Sequence, residues 1–172
     1  MTLTNSPNKM KTIKTLTYLL LLSILFQAPV LSIENTYIVT RTIDGDTIEL
    51  SNGEHVRLIG IDTPESRDNP KLKRDATWTG QDKQAIITMG KRATEFTKKL
   101  VEGKQVRLEF DVQQMDKYGR LLAYVYLEDG TFVNAEIMKA GYAQVMTIPP
   151  DVKYQDLFLK LQKEARASKS WA

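Results

Sequence analysis

Three short segments of this sequence carry residue types that could do chemistry together. "IDGDT" places Asp46 one residue past the Asp44-Gly45 pair. "RLIGIDTPE" sets Asp62 and Glu65 on either side of Thr63-Pro64, a few residues after Arg57. "DKYGR" runs from Asp116 to Arg120. If Asp46 and Asp62 converge, they offer hard oxygen donors suited to Ca²⁺. Two carboxylates and a backbone carbonyl leave coordination positions for water and a substrate phosphate. Calcium acidifies its bound water far less than zinc does, so a separate base is needed, and Glu65 stands close enough to serve. Arg57 and Arg120 would hold phosphate oxygens as forks and stabilise the charge that grows on them. Such a set suits phosphodiester hydrolysis.

Each piece also has an ordinary reading. Asp-Gly is what a tight hairpin needs, which leaves Asp44 with the turn. Asp before Thr-Pro is good turn chemistry, Glu65 alone is a solvated charge, and "DKYGR" reads as a β-turn with Gly119 at a special backbone position. Arg57 is less ordinary, because it alternates in phase with Ile59 and Ile61 and is expected on their face. An arginine there needs an anionic partner, a rim position or a ligand. On the residues alone, turn chemistry and a cation site both stand.

Composition narrows the alternatives. The chain has 172 residues, no cysteine and one histidine, His55. That removes thiolate nucleophiles and cysteine-rich zinc sites, and it disfavours Ser–His–Asp triads. His55 falls in an expected turn, at the surface. What remains for chemistry is carboxylates, arginines, lysines and tyrosines.

The N-terminus has the three-part layout of a secretory signal: Lys9, Lys11 and Lys14, an apolar run from Leu16 to Phe26, then Ser32 at a plausible cleavage point. The alternative is an uncleaved anchor facing outside, although the run is short for a span. The expected division is therefore 1–32 signal and 33–172 a single domain, secreted or periplasmic. The whole chain is formally +3, with 24 basic and 21 acidic residues. The leader holds three of the lysines and no acid, so the remainder balances at 21 against 21. A basic-protein argument for nucleic-acid binding is thus excluded, and any cationic patch must be local.

The elements that would position these residues begin at Thr36. "TYIVTRTI" and "DTIELS" alternate as strands across Asp44-Gly45, and "VRLIGI" makes a third strand ended by Pro64. Residues 67–80 read as a polar, basic loop. A helix follows, with Ile86, Met89, Ala93, Phe96 and Leu100 at helical spacing and Gly103 as its stop; Gly90 weakens its first half. "KQVRLEFDV" and "LLAYVYL" are two further strands, and "NAEIMKAG" is a short helix. Asp151 is expected to cap a last helix with the stripe Tyr154, Leu157, Phe158, Leu161, Ala165. Five strands and about three packed helices give an α+β, mainly β class: a five-stranded Greek-key barrel of the OB type.

"IDGDT", "RLIGIDTPE" and "DKYGR", in this order around five strands, resemble the thermonuclease (staphylococcal nuclease) family. The likeness extends to "FTKKLV", "LAYVY" and "VNAEIMKAG", and runs from about Thr36 to Trp171. The resemblance implies a Ca²⁺-dependent endonuclease acting on DNA and RNA, with one ion and 3′-phosphate products. No protein partner is implied, and a monomer is expected. By position, Asp46 and Asp62 match the family's carboxylate calcium ligands and Thr63 its carbonyl ligand. Glu65 matches the general base, and Arg57 and Arg120 the phosphate-binding arginines. Lys117 and Tyr118 match residues that touch the nucleotide. The chain departs from the family pattern at Thr147, where a tyrosine often lies against the base, and in the long segment before the first expected helix. Trp78 in that segment is a candidate stacking platform or a packed tryptophan. A nucleic-acid- or protein-binding barrel that has lost catalysis is the competing class. Its mark would be loss of Asp46, Arg57, Asp62, Glu65 or Arg120, and all five are present.

Overall fold

The first strand is β-branched and alternating from Thr36, and in the computed structural model, which describes residues 36–168, it forms β1, Thr36–Asp44. The expected leader, residues 1–32, and Trp171 lie outside the described residues. β2 (Thr47–Leu50) returns antiparallel to β1, and β3 (His55–Leu58) returns antiparallel to β2. β5 (Gln105–Met115) and β6 (Leu121–Leu127) form the second hairpin. β3 joins β6 in parallel register and β1 joins β5 antiparallel, which closes a five-stranded barrel in the order β1-β2-β3-β6-β5. Its interior is the apolar alternation of each strand: Val39, Ile48, Val56, Leu58, Val106 and Val125 are all fully buried.

The third expected strand does not run through. Gly60 takes φ +81°, a conformation open to glycine, and divides the run into β3 and β4 (Gly60–Asp62). β4 leaves the barrel and pairs antiparallel with β7 (Gln144–Met146). The break corrects the expected face of Arg57. Ile59 and Ile61 join the core, whereas Arg57 lies between the inward-facing Val56 and Leu58 and turns the other way. Buried Asn134 satisfies the backbone around the break, donating from Nδ2 to the Ile59 carbonyl (2.9 Å) while its Oδ1 accepts from Val125 N–H (3.0 Å).

Four helices pack on this frame among the described residues, where about three were expected. The additional one is α1, Pro70–Thr79, in the segment read as a loop. Its signals are in its ends. Asn69 accepts from the Leu72 N–H (2.8 Å), Pro70 fills the first turn, and Gly80 closes the helix at φ +68°. Its apolar face is little more than Leu72, which is fully buried, so no periodic stripe announces it. α2 spans Lys83–Val101, and Asp82 caps it by accepting from Ala85 N–H. α3 is Val133–Lys139 and α4 is Gln155–Ala167, which buries Phe158, Leu161 and Ala165. Asp151 is not its cap. The carboxylate accepts instead from Gln113 N–H (2.8 Å), tying the chain before α4 to β5, and Leu157 is exposed. No helix among the described residues is long and apolar enough to cross a membrane.

Candidate active site

The two loops that carry carboxylates are fixed by α2. Thr97 Oγ1 donates to the Gly45 carbonyl at 2.6 Å, and Thr94 Oγ1 donates to Asp44 Oδ1 at 3.1 Å, so Asp44 stays with the turn. Glycine at 45 is required by space: a Cβ there would stand 2.7 Å from Thr63 Oγ1. Gly90, expected to weaken α2, has the same role on a larger scale. A Cβ at 90 would stand 2.3 Å from the Glu65 carbonyl oxygen, so its absence lets the helix press against the Pro64–Glu65 backbone. The "DTPE" loop is held between the turn at 45 and the helix at 90.

Within that clamp the acidic and basic groups interlock. Asp46 Oδ2 accepts from the Thr63 N–H (2.8 Å) and hydroxyl (2.9 Å). Arg57 reaches over both carboxylates as a fork, with Nη1 2.5 Å from Asp46 Oδ2 and Nη2 2.8 Å from Asp62 Oδ1. Lys71, on the first turn of α1, extends its Nζ to Asp62 Oδ1 (3.0 Å), Glu65 Oε1 (2.8 Å) and the Thr63 carbonyl (3.4 Å). Asn69 donates from Nδ2 to the other oxygen of Glu65. The cap of α1 and the carboxylate of Glu65 are therefore one hydrogen-bonded unit.

Charge and burial pull these groups in opposite directions. Burial alone would raise Asp46, but the Arg57 charge, the Thr63 hydrogen bonds and Lys71 hold its carboxyl below the ordinary range. For Asp62 burial prevails over Lys71 and Arg57, with the Asp46 charge adding to it, and the pKa is raised. Burial would lower Lys71, but the Asp62 charge and the Glu65 contact raise it. Asp44 is raised by burial and by the Asp46 charge.

One cleft of about 770 Å³ brings together seven of the eight residues singled out from the sequence: Asp46, Arg57, Asp62, Glu65, Lys117, Tyr118 and Arg120. Thr63 meets it only through the hydrogen bonds above and lines a neighbouring cleft. Arg120 is aimed by Asp116, whose Oδ2 takes its Nε (2.8 Å) and Nη2 (2.7 Å), while Oδ1 takes the Tyr118 and Arg120 N–H groups. These bonds outweigh partial burial and lower the Asp116 pKa. Tyr118 is exposed, with the Lys117 Nζ 5.1 Å and the Arg120 guanidinium 5.6 Å from its ring centre. His55, expected in a turn, instead opens β3; it is exposed beside Glu49 and lines the same cleft.

The sequence reading missed Asn69, Lys71 and Asp116. The Asn-Pro pair before Lys71 was the available signal, since it marks a helix start and so directs a first-turn lysine. From the stretch around Thr147, the side chains that line the cleft are Met146 and Ile148. That wall is aliphatic. Trp78 is 89% exposed and lines the neighbouring cleft of about 700 Å³, which shares Asp62, Lys71, Arg74 and Met146 with the first.

The donor set fits a hard cation on this structure's own terms. Among the described residues no group of three or more His, Asp or Glu gathers to hold a metal. The oxygens of Asp62 and Thr63 do already gather around a cation, the Lys71 ammonium, with Asp46 hydrogen-bonded to Thr63 beside them. Two carboxylates and one carbonyl are oxygen donors of the kind that calcium prefers.

Comparison with known proteins gives the family. The family described as Staphylococcal nuclease homologue matches residues 55–171. The thermonuclease of Staphylococcus intermedius is 42% identical over 134 residues, covering 76% of this chain and 71% of that protein. The thermonuclease of Staphylococcus hyicus is 38% identical over 139 residues, covering 79% and 74%. The SPbeta prophage-derived endonuclease YokF of Bacillus subtilis is 37% identical over 134 residues, 75% of this chain but 40% of that protein.

Proposed function

The chain belongs to the staphylococcal nuclease homologue family, and on that premise we propose that it is a secreted, calcium-dependent endonuclease that hydrolyses phosphodiester bonds of DNA and RNA. Residues 33–172 are the working OB-type domain, acting as a monomer, and residues 1–32 are its export signal. The observation that carries the reading is the pairing of Asp46 and Asp62 under the Arg57 fork, with Glu65 and Arg120 lining the same cleft.

Asp46, Asp62 and the Thr63 carbonyl would hold the ion. Calcium, when bound, supplies charge that draws water and a phosphate oxygen into one place. Glu65 takes a proton from the attacking water as its oxygen bonds to phosphorus. Arg57 and Arg120 grip the non-bridging oxygens, where charge accumulates in the transition state. The P–O5′ bond breaks, the 5′ oxygen takes a proton from solvent, and a 3′-phosphate end remains. Lys117 and Tyr118 hold the neighbouring part of the nucleotide. Asn69 and Lys71, bonded to both oxygens of Glu65, hold its carboxylate in the ion-free chain.

Cleavage of denatured DNA tests the reading, with calcium and with a chelator, beside Glu65→Gln. Wild type should cut only with calcium. Glu65→Gln should keep calcium and nucleotide binding and lose roughly 10²- to 10⁴-fold in rate, the usual scale for removing a general base. If both proteins are inert yet bind single strands, the barrel is a binding module.

A further inference from the structure

We propose that the Lys71 ammonium is a built-in competitor for the cation position of the cleft: it occupies that position in the ion-free chain, is displaced when a divalent cation binds, and so sets the affinity for that cation. The inference rests on the calcium reading above and concerns how this chain tunes it.

Lys71 Nζ touches Asp62 Oδ1, the Thr63 carbonyl and Glu65 Oε1 at 3.0, 3.4 and 2.8 Å. The first two of these oxygens belong to the proposed ligand set and the third to the proposed base. Calcium sits 2.3–2.6 Å from its ligand oxygens, so roughly the same space would have to hold both charges. Two cations sharing an oxygen pair in a part-buried site repel strongly, and the one on the flexible stem gives way.

The two cations over these carboxylates differ in how firmly they are fixed. Arg57 comes from β3, its side chain is 14% exposed, and its fork ends on two carboxylates with a further contact to the Asp46 carbonyl. Lys71 comes from the edge of α1 and is about twice as exposed, at 27%. It lines both clefts, so a displaced ammonium has open space on the side where substrate would lie. Displacement would also release one oxygen of Glu65 from its ion pair. The same event that loads the ion would free the base.

A lysine that merely braces the loop makes the opposite prediction. Its removal would loosen the ligands and weaken ion binding. Removal of a competitor strengthens ion binding while lowering the stability of the ion-free protein. The sign of the change separates the two.

The experiment is a calorimetric titration of calcium into the purified protein without nucleotide, for wild type, Lys71→Met, Lys71→Gln and Asp62→Asn, with thermal melts in chelator and in saturating calcium. Both Lys71 variants should bind calcium at least fivefold more tightly than wild type. They should melt below wild type in chelator, with that gap narrowed or reversed in calcium. Asp62→Asn should lose most of its binding. Equal or weaker binding by both folded Lys71 variants, beside a wild type that binds, overturns this inference alone. No calcium binding by wild type or by either Lys71 variant overturns the calcium reading and this inference together.

Discussion

Arg57 and Arg120 are both arginines in one cleft, yet different neighbours define them. Arg57 spans two carboxylates that are nearly buried, each with a side chain 9% exposed. A lysine at 57 can meet one of them, not both, and so loses half of the paired contact. Arg57→Lys should therefore lower kcat/KM by about 10²-fold or more and destabilise the fold by about 1–3 kcal/mol. Steady-state cleavage and denaturant unfolding read the two effects, and wild-type turnover would show that the fork is dispensable. Arg120 depends on Asp116, whose Oδ2 holds its guanidinium. Asp116→Asn should lower kcat on the order of 10- to 100-fold through misplacement of the guanidinium, with little change in calcium binding. It also has a pH signature. The folded pKa of Asp116 is lowered by its N–H and guanidinium bonds. Its contribution to stability is therefore fully present above the unfolded carboxylate value and is lost as pH falls through the folded one. The difference in melting temperature between wild type and Asp116→Asn should hold steady from neutral to mildly acidic pH and close below it.

At the scale of elements, the site depends on close approaches that a list of strands and helices does not contain. Gly90 permits α2 to lie against the Glu65 carbonyl, where a methyl group would stand 2.3 Å away. Alanine is the better helix former by about 1 kcal/mol, so an exposed Gly→Ala change would stabilise. Here the clash should outweigh that gain, with a net loss of about 1–3 kcal/mol and a fall in kcat as the Glu65 backbone is pushed off α2. A Gly90→Ala protein that is more stable and fully active would remove this account of the helix. The barrel strands were legible because Val39, Ile48, Val56, Leu58, Val106 and Val125 repeat with the period of a pleat. α1 was not, because only Leu72 marks its inner face and its evidence lies in Asn69, Pro70 and Gly80. The split at Gly60 was hidden by an unbroken apolar run, and with it the direction of Arg57. The candidate residues were legible as types in order. That Lys71 and Asn69 would close over Glu65 was not, since it depends on a helix the charge pattern conceals.

For the molecule as a whole, the two bulk facts that matter are the missing cysteine and the balanced charge of residues 33–172. With no disulfide, the barrel is held by its apolar interior and by the aromatic cluster of Tyr124, Phe132, Tyr154 and Phe158, whose rings meet at centroid distances of 4.6–6.3 Å. Balanced charge has a consequence for substrate capture. Residues 33–172 hold 21 basic and 21 acidic residues, so this part of the chain has no net field to gather a polyanion from a distance. Attraction must come from the cleft wall, where Arg57, Lys71, Lys117 and Arg120 stand together. Of these, Arg57, Lys117 and Arg120 are the three proposed to reach the strand, while Lys71 is held by Asp62 and Glu65. For a single strand, each neutralised phosphate contributes roughly −0.7 to the slope of log K against log salt. The non-cleaving Glu65→Gln protein should then bind a short single-stranded oligonucleotide with a slope of about −2. A fluorescence-anisotropy titration at several salt concentrations measures it. A slope steeper than about −4 would mean that a wider basic surface engages the strand, and a slope near zero would take phosphate contacts out of binding.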